Sequence, residues 1–139
     1  MKFSVERITP AQWDEIAFNA HLVLFNEVRP AAYNTVDFAI IGTTEEDEIA
    51  SYATIIEMDK ETAYMQHGGA MPNIRGTVGT KRMYHEMIQW LKERYKRIST
   101  RVHATNVPML KLAMSEGLIV HGCDCYKDGV YVHLGWGFE

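Results

Sequence analysis

Arg75, Lys81 and Arg82 share a short run with Gly76 and Gly79, between an apolar stretch that ends before Pro72 and a segment of helical periodicity. That combination of types suits an anion. Glycine lets the backbone curl so that successive N–H groups point outward, and Pro72 cannot continue a central ladder, so 62–71 reads as a strand that stops there. A helix from about Val78 would leave its first N–H groups without intrahelical partners and carry the positive end of its macrodipole. Strand, glycine loop and helix start together favour a phosphate, and the three cations add full charge beside it. The plain alternative is a loop whose glycines only turn the chain.

The elements that must hold this loop are legible on both sides of it. Residues 2–8 alternate Phe3 and Val5 against Lys2, Ser4 and Glu6, the period of a strand with one wet face. Thr9, Pro10 and Gln12 make a helix start with a capping box, and Trp13, Ile16, Ala17, Ala20, Val23 and Leu24 form the stripe of a helix that ends by Arg29, ahead of Pro30. Residues 35–42 and 49–58 read as an antiparallel hairpin across the acidic segment Glu45, Glu46, Asp47, Glu48, and the strand from Thr62 pairs next.

In the following helix Met83, Tyr84, Met87, Ile88, Leu91 and Tyr95 recur at offsets of three and four, with Lys81, Glu86, Lys92, Glu93 and Lys96 facing water. Residues 97–104 alternate as a strand. Asn106 can cap a helix that Gly117 ends, and 118–126 with 130–136 form a closing hairpin turned at Lys127, Asp128 and Gly129, Asp-Gly being a favoured type I′ pair. The order β α β β β α β α β β implies an α+β fold, a mixed and mostly antiparallel sheet with helices on both faces.

With 139 residues, 47% of them hydrophobic, the chain reads as a single domain over 1–139. No signal peptide or membrane span is expected, which places the protein in the cytoplasm. A net charge of −4 argues against a nucleic-acid or anionic-membrane partner. Cys123 and Cys125 are too close along a strand for an easy disulfide and lack the other half of a zinc site, so reduced thiols are expected. His103, His121 and His133 lie on successive strands, yet no i, i+4 histidine pair or His-Glu-x-x-His pattern accompanies them, and no metal is expected. The closing strand, apolar on one face, could pair across a homodimer.

The spacing around the glycine loop resembles the Gcn5-related N-acetyltransferase (GNAT) superfamily, in which a strand and helix carry a Gln/Arg-x-x-Gly-x-Gly/Ala loop for the pyrophosphate of acetyl-coenzyme A. The stretch RISTRVHATNVPMLKLAMSEGLIVHG resembles the family's second pattern, strand, Asn, helix, Gly, strand, with Asn106 and Gly117 in place. The resemblance covers nearly the whole chain. It implies acetyl-coenzyme A as cofactor and attack by an amine, from a small molecule or a peptide, on its thioester.

The same resemblance implies pyrophosphate donors in the loop backbone, here Ile74, Arg75, Gly76, Thr77, Val78, Gly79 and Thr80, with Lys81 beside them, and a thioester donor in the backbone near Ala70 and Met71. The chain departs from the family in two places. Gly76 is followed by Val78, and the next glycine is Gly79, one position late; and four residues before Gly117, where many members have a Tyr that protonates the leaving thiolate, stands Ala113. Tyr126, Tyr131 or Ser115 could substitute as acid. His67 is the best candidate base, because imidazole titrates near working pH and its strand position should face the cleft; Glu57 and Glu61 flank the same region. The competing expectation is a catalytically degenerate GNAT-fold binding or structural module, of the kind small virus-encoded proteins carry.

Overall fold

The computed structural model describes residues 4–9, 11–12, 37–43, 45–46, 49–70 and 78–138. Seven strands form one sheet: β1 (Ser4–Ile8), β2 (Phe38–Thr43), β3 (Ile49–Asp59), β4 (Thr62–Ala70), β5 (Arg97–His103), β6 (Ile119–Tyr126) and β7 (Gly129–Trp136). Two helices, α1 (Val78–Arg94) and α2 (Val107–Ser115), complete the described elements. The strand order is β1-β2-β3-β4-β5-β7-β6, and every pairing is antiparallel except β4 with β5. Among the described residues no helix is long and apolar enough to cross a membrane.

The expected first helix lies mostly outside the described residues, including Trp13 and the rest of its stripe. Its capping box is present. Thr9 N–H donates to Gln12 Oε1 at 2.9 Å, and Gln12 N–H returns a bond to Thr9 Oγ1 at 3.2 Å.

The core lies between the sheet and the inner stripe of α1, where Ile88 and Leu91 are fully buried against Phe38, Ile55, Ile98 and Leu134. The predicted stripe is the buried one, although Met87 is only partly covered. Lys92 departs from expectation: instead of facing water it is half-buried, donates to the Glu116 carbonyl at 2.9 Å and lies over the Trp136 ring.

At the end of α2, Gly117 has φ +86°, and the N–H groups of Gly117 and Leu118 return to the carbonyls of Met114 and Ala113. This is the left-handed stop the sequence predicts.

Two expectations about the closing hairpin need correction. Its two-residue loop is Lys127 and Asp128, since Tyr126 pairs directly with Gly129, one step ahead of the Asp-Gly turn expected. The His103 ring fixes that register. It hydrogen-bonds the Asp128 carbonyl, and a Cβ on Gly129, whose φ is +129°, would come within 2.6 Å of it. In addition, β7 is an interior strand, flanked by β5 and β6, so it cannot pair across a dimer. The open edge at that end is β6, which is exposed along its whole length and presents Ile119 and Val120.

Ile88→Ala should lower unfolding stability by about 2–5 kcal/mol in a urea titration, through lost burial plus the residual cavity. Glu61 gives a pH test. Its hydrogen bond from Lys96, reinforced by the charges of Lys96 and Arg97, holds its carboxyl below the usual glutamate range. The resulting stability is present above the unfolded-state pKa and is lost as pH falls through the depressed folded value. Glu61→Gln should therefore be less stable than the parent at neutral pH, and the two denaturation midpoints should converge in acid.

Candidate active site

The parallel pairing of β4 with β5 runs only from Thr62↔Arg97 to Met65↔Thr100, after which the strands part. At the point of parting Thr100 Oγ1 donates to the Met65 carbonyl at 3.2 Å. On the other side of β4 the register slips at the same place: Ile55 faces Met65 and Thr54 faces His67, leaving Gln66 as an extra residue. Such a bulge bends its strand and breaks the ladder locally. Pin and bulge together open a fork between the two parallel strands.

The fork leads into a cavity of about 320 Å³ walled by β3, β4, β5, α1, α2 and Tyr131 of β7. Met65, Met83, Met87, Val102, Met109 and Leu112 make it mostly apolar. Most of its polar side chains are occupied. Thr100 holds the fork, and His103 Nε2–H donates to the Asp128 carbonyl at 2.9 Å while its Nδ1 accepts from the Thr105 N–H and hydroxyl. The Tyr131 hydroxyl donates to Asp128 Oδ2 at 2.6 Å, a bond that holds the Asp128 carboxyl below its ordinary range and the Tyr131 phenol above it. Arg101 donates to the Tyr126 hydroxyl and lies over the Tyr131 ring.

Gln66 Oε1 and the Tyr84 hydroxyl, both buried and both from residues of the cavity wall, have no hydrogen-bond partner among the described residues. Burial, and secondarily the Glu116 carboxylate, push the Tyr84 phenol well above its usual range. Neither residue stands out in the sequence. Tyr84 reads as one more member of the α1 stripe, and the bulge that singles out Gln66 is invisible before the strands are paired.

The start of α1 borders this cavity through Thr80. Gly79 belongs to the first helical turn and not to the preceding loop as expected, because the helix begins at Val78. No acidic residue stands in that turn. Lys81 and Arg82 are exposed and, with His85 and Glu116, line a second recess of about 260 Å³. There His85 Nδ1 meets the buried Glu116 carboxylate at 2.8 Å.

The other expected site residues are scattered. His67 faces Thr54 just beyond the bulge, and Ala70 ends β4 opposite Ser51; their side chains, like residues 71–77 with Met71, Ile74, Arg75, Gly76 and Thr77, lie outside the described residues. Asn106 does cap α2, accepting from Met109 N–H at 3.4 Å, and it lines the cavity mouth.

Glu57 is remote from the fork. It pairs across from Ala63 at the opposite end of β4, bonded to the Tyr95 hydroxyl at 2.6 Å and to Arg7. Tyr126 is half-exposed outside the cavity, held by Arg101 and Asp124, and the Ser115 hydroxyl is committed to the Leu112 carbonyl. His133 pairs with Asp124 and His121 stacks on Phe138, while His103 is tied to the hairpin loop; among the described residues no group of His, Cys, Asp and Glu converges as metal ligands. Cys123 and Cys125 are free thiols on the surface.

No family profile and no curated protein matches the sequence. Solved structures do match the fold. An IAA acetyltransferase from Bacillus cereus superposes with TM-score 0.78 over 96% of this chain and 98% of its own, at 12% identity. The chain has the GNAT fold. A GNAT family acetyltransferase from Elizabethkingia anophelis with acetyl-CoA bound gives TM-score 0.77 at 13% identity, covering 96% of each chain. The ribosomal-protein-S18-alanine N-acetyltransferase from Escherichia coli gives 0.74 at 13% identity, over 96% of this chain and 92% of its own. Within this GNAT frame the forked strands, bulge and apolar cavity form one continuous feature.

Gly68 tests how tightly the fork is built. A Cβ there would lie 2.8 Å from the Tyr52 carbonyl, a backbone atom that cannot swing aside. Gly68→Ala should therefore displace β4 from β3 and cost about 1–3 kcal/mol of stability, read as a lower urea midpoint.

Proposed function

We propose that the chain is an acetyl-coenzyme A dependent N-acetyltransferase that acts on a primary amine. The observation that carries this reading is the fork that opens into an apolar cavity at the bulge, with a basic helix start beside it. Bound there, acetyl-coenzyme A would supply an acetyl group activated as a thioester. The residues present fit that group: a mostly apolar cavity beside the fork for its arm, and cations at the helix start for its phosphates.

The first-turn N–H groups of Val78, Gly79, Thr80 and Lys81 would hold the pyrophosphate, continuing the cradle expected from Ile74, Arg75, Gly76 and Thr77. Cations near a helix N-terminus oppose the macrodipole, so Lys81 and Arg82 in or next to that turn are understandable if an anion sits between them and the helix. Beyond Met65 the strand edge that β5 leaves uncovered, from Gln66 to Ala70, offers N–H and C=O groups to an extended chain with amides and N–H donors to the thioester carbonyl. His67, next to the bulge, is the base in this reading and takes the amine's proton. Glu57 and Tyr126 are not retained in catalytic roles, given where they lie. A cytoplasmic setting belongs to the same proposal.

One observation favours a second reading, a GNAT-fold module without catalysis. Ala113, fully buried where the family resemblance implies a tyrosine, can donate nothing. Thermal melts with acetyl-coenzyme A separate the two. At about a hundred times its dissociation constant the ligand should add about 2.7 kcal/mol, a shift of several degrees. Replacing Lys81 and Arg82 by alanine should weaken that binding roughly tenfold. Absence of any shift would favour the module. A positive result leads to an amine screen, beginning with a peptide that opens on alanine because the E. coli neighbour is a protein-alanine N-acetyltransferase.

A further inference from the structure

We infer that Arg101 selects the acceptor, and that the amine acetylated here carries a carboxylate which the Arg101 guanidinium binds; this rests on the acetyl-transfer reading above. Among the described residues that wall the cavity, Arg101 is the one with a full charge at neutral pH, and none is acidic. A polyamine would meet only like charge there, whereas a carboxylate would meet its complement.

The place of Arg101 on β5 puts it on the acceptor's side. Successive residues of a strand point to opposite faces. Val102 packs into the core with Ile88 and Leu91 of α1, and Thr100 shares that face, so Arg101 and His103 belong to the other. The cavity touches all four and therefore passes through the sheet at the fork. In the reading above the coenzyme comes from the α1 side, beside the basic helix start, which leaves the Arg101 side to the amine.

The guanidinium is held without being neutralised. It donates from Nη1 to the Tyr126 hydroxyl at 3.1 Å, and its centre lies 4.8 Å from the Tyr131 ring centre and 5.3 Å from that of Tyr126. That engages one of its five N–H donors, and among the described residues no carboxylate pairs with it. The carboxylates of the neighbouring hairpin are occupied: Asp128 accepts the Tyr131 hydroxyl and Asp124 meets His133 Nε2, both at 2.6 Å. Aromatic rings orient an arginine without cancelling its charge, and its planar fork can take a carboxylate through two parallel bonds. One cation matches a monoanion; a phosphate dianion would call for a second, which the described wall lacks.

The probe is a panel of free L-amino acids, each set beside its own carboxamide, with spermidine as the cationic arm and phosphoethanolamine as the phosphate arm. Acetylation is followed through release of the coenzyme thiol from acetyl-coenzyme A. For the best acceptor the acid should exceed its amide in kcat/KM by about ten- to a hundredfold, the equivalent of hydrogen bonding to a charged group. Arg101→Gln should shrink that ratio by the same factor, with the loss in KM, and Arg101→Lys, which keeps the charge without the fork, should restore part of it. The ratio is taken within each variant, so poor folding lowers both rates and leaves it unmoved. Amides or spermidine accepted as well as the acids, phosphoethanolamine preferred to all of them, or an acid preference that survives Arg101→Gln would overturn the role of Arg101 while acetyl transfer stands. A protein that binds acetyl-coenzyme A in the thermal melt and acetylates nothing in the panel would overturn it as well. A protein that does not bind acetyl-coenzyme A would overturn the acetyl-transfer reading and this inference together.

Discussion

The parting of β4 from β5 after Met65 and Thr100 governs the rest of the molecule. Two parallel strands in one sheet ordinarily stay paired, because each unpaired N–H and C=O that is buried costs free energy. Here pairing stops where Gln66 is squeezed out of the β3 register, and Thr100 Oγ1 caps the last carbonyl before the gap. The backbone groups beyond that point are left for something other than β5. The cavity and, through Thr80, the entry to α1 border that gap in the hydrogen-bond ladder.

Holding a fork open requires walls that do not collapse into it. The ties between α1 and α2 supply this. His85 of α1 reaches the buried carboxylate of Glu116, the residue that closes α2, and Lys92 of α1 donates to the same residue's carbonyl. Gly117 then turns the chain directly into β6. These contacts tie α1 to the end of α2, while Met83 and Met87 of the one and Met109 and Leu112 of the other line the cavity. On the sheet side, His103 and Tyr131 converge on Asp128, so the closing hairpin is anchored to the end of β5.

Much of this was legible in the chain. The stripe of α1, the capping box at Thr9, Asn106, Gly117 and the meander of β2, β3 and β4 follow from local rules in which each residue's preference agrees with its neighbours'. What was not legible depends on pairing. Tyr84 and Met83 look alike on a helical stripe, and only the packed fold leaves the Tyr84 hydroxyl buried with no partner among the described residues. Gln66 is ordinary until β3 is laid beside it. Glu57 looked close to the site because it is close to His67 in a hairpin, but antiparallel pairing sends it to the other end of β4. The Asp-Gly signal was overridden by a single histidine ring from a strand that comes earlier in the chain.

Four methionines, Met65, Met83, Met87 and Met109, contribute to the cavity wall. Thioether side chains are unbranched and polarizable, and they change rotamer at little cost, so a surface made from them takes the outline of whatever presses on it. A wall of branched residues would record the dimensions of its ligand in its own shape. This one does not: the contour of the chamber is one conformer of a compliant lining, and the least yielding part of its wall is the hydrogen-bonded backbone at the base of the fork, where Thr100 holds the Met65 carbonyl.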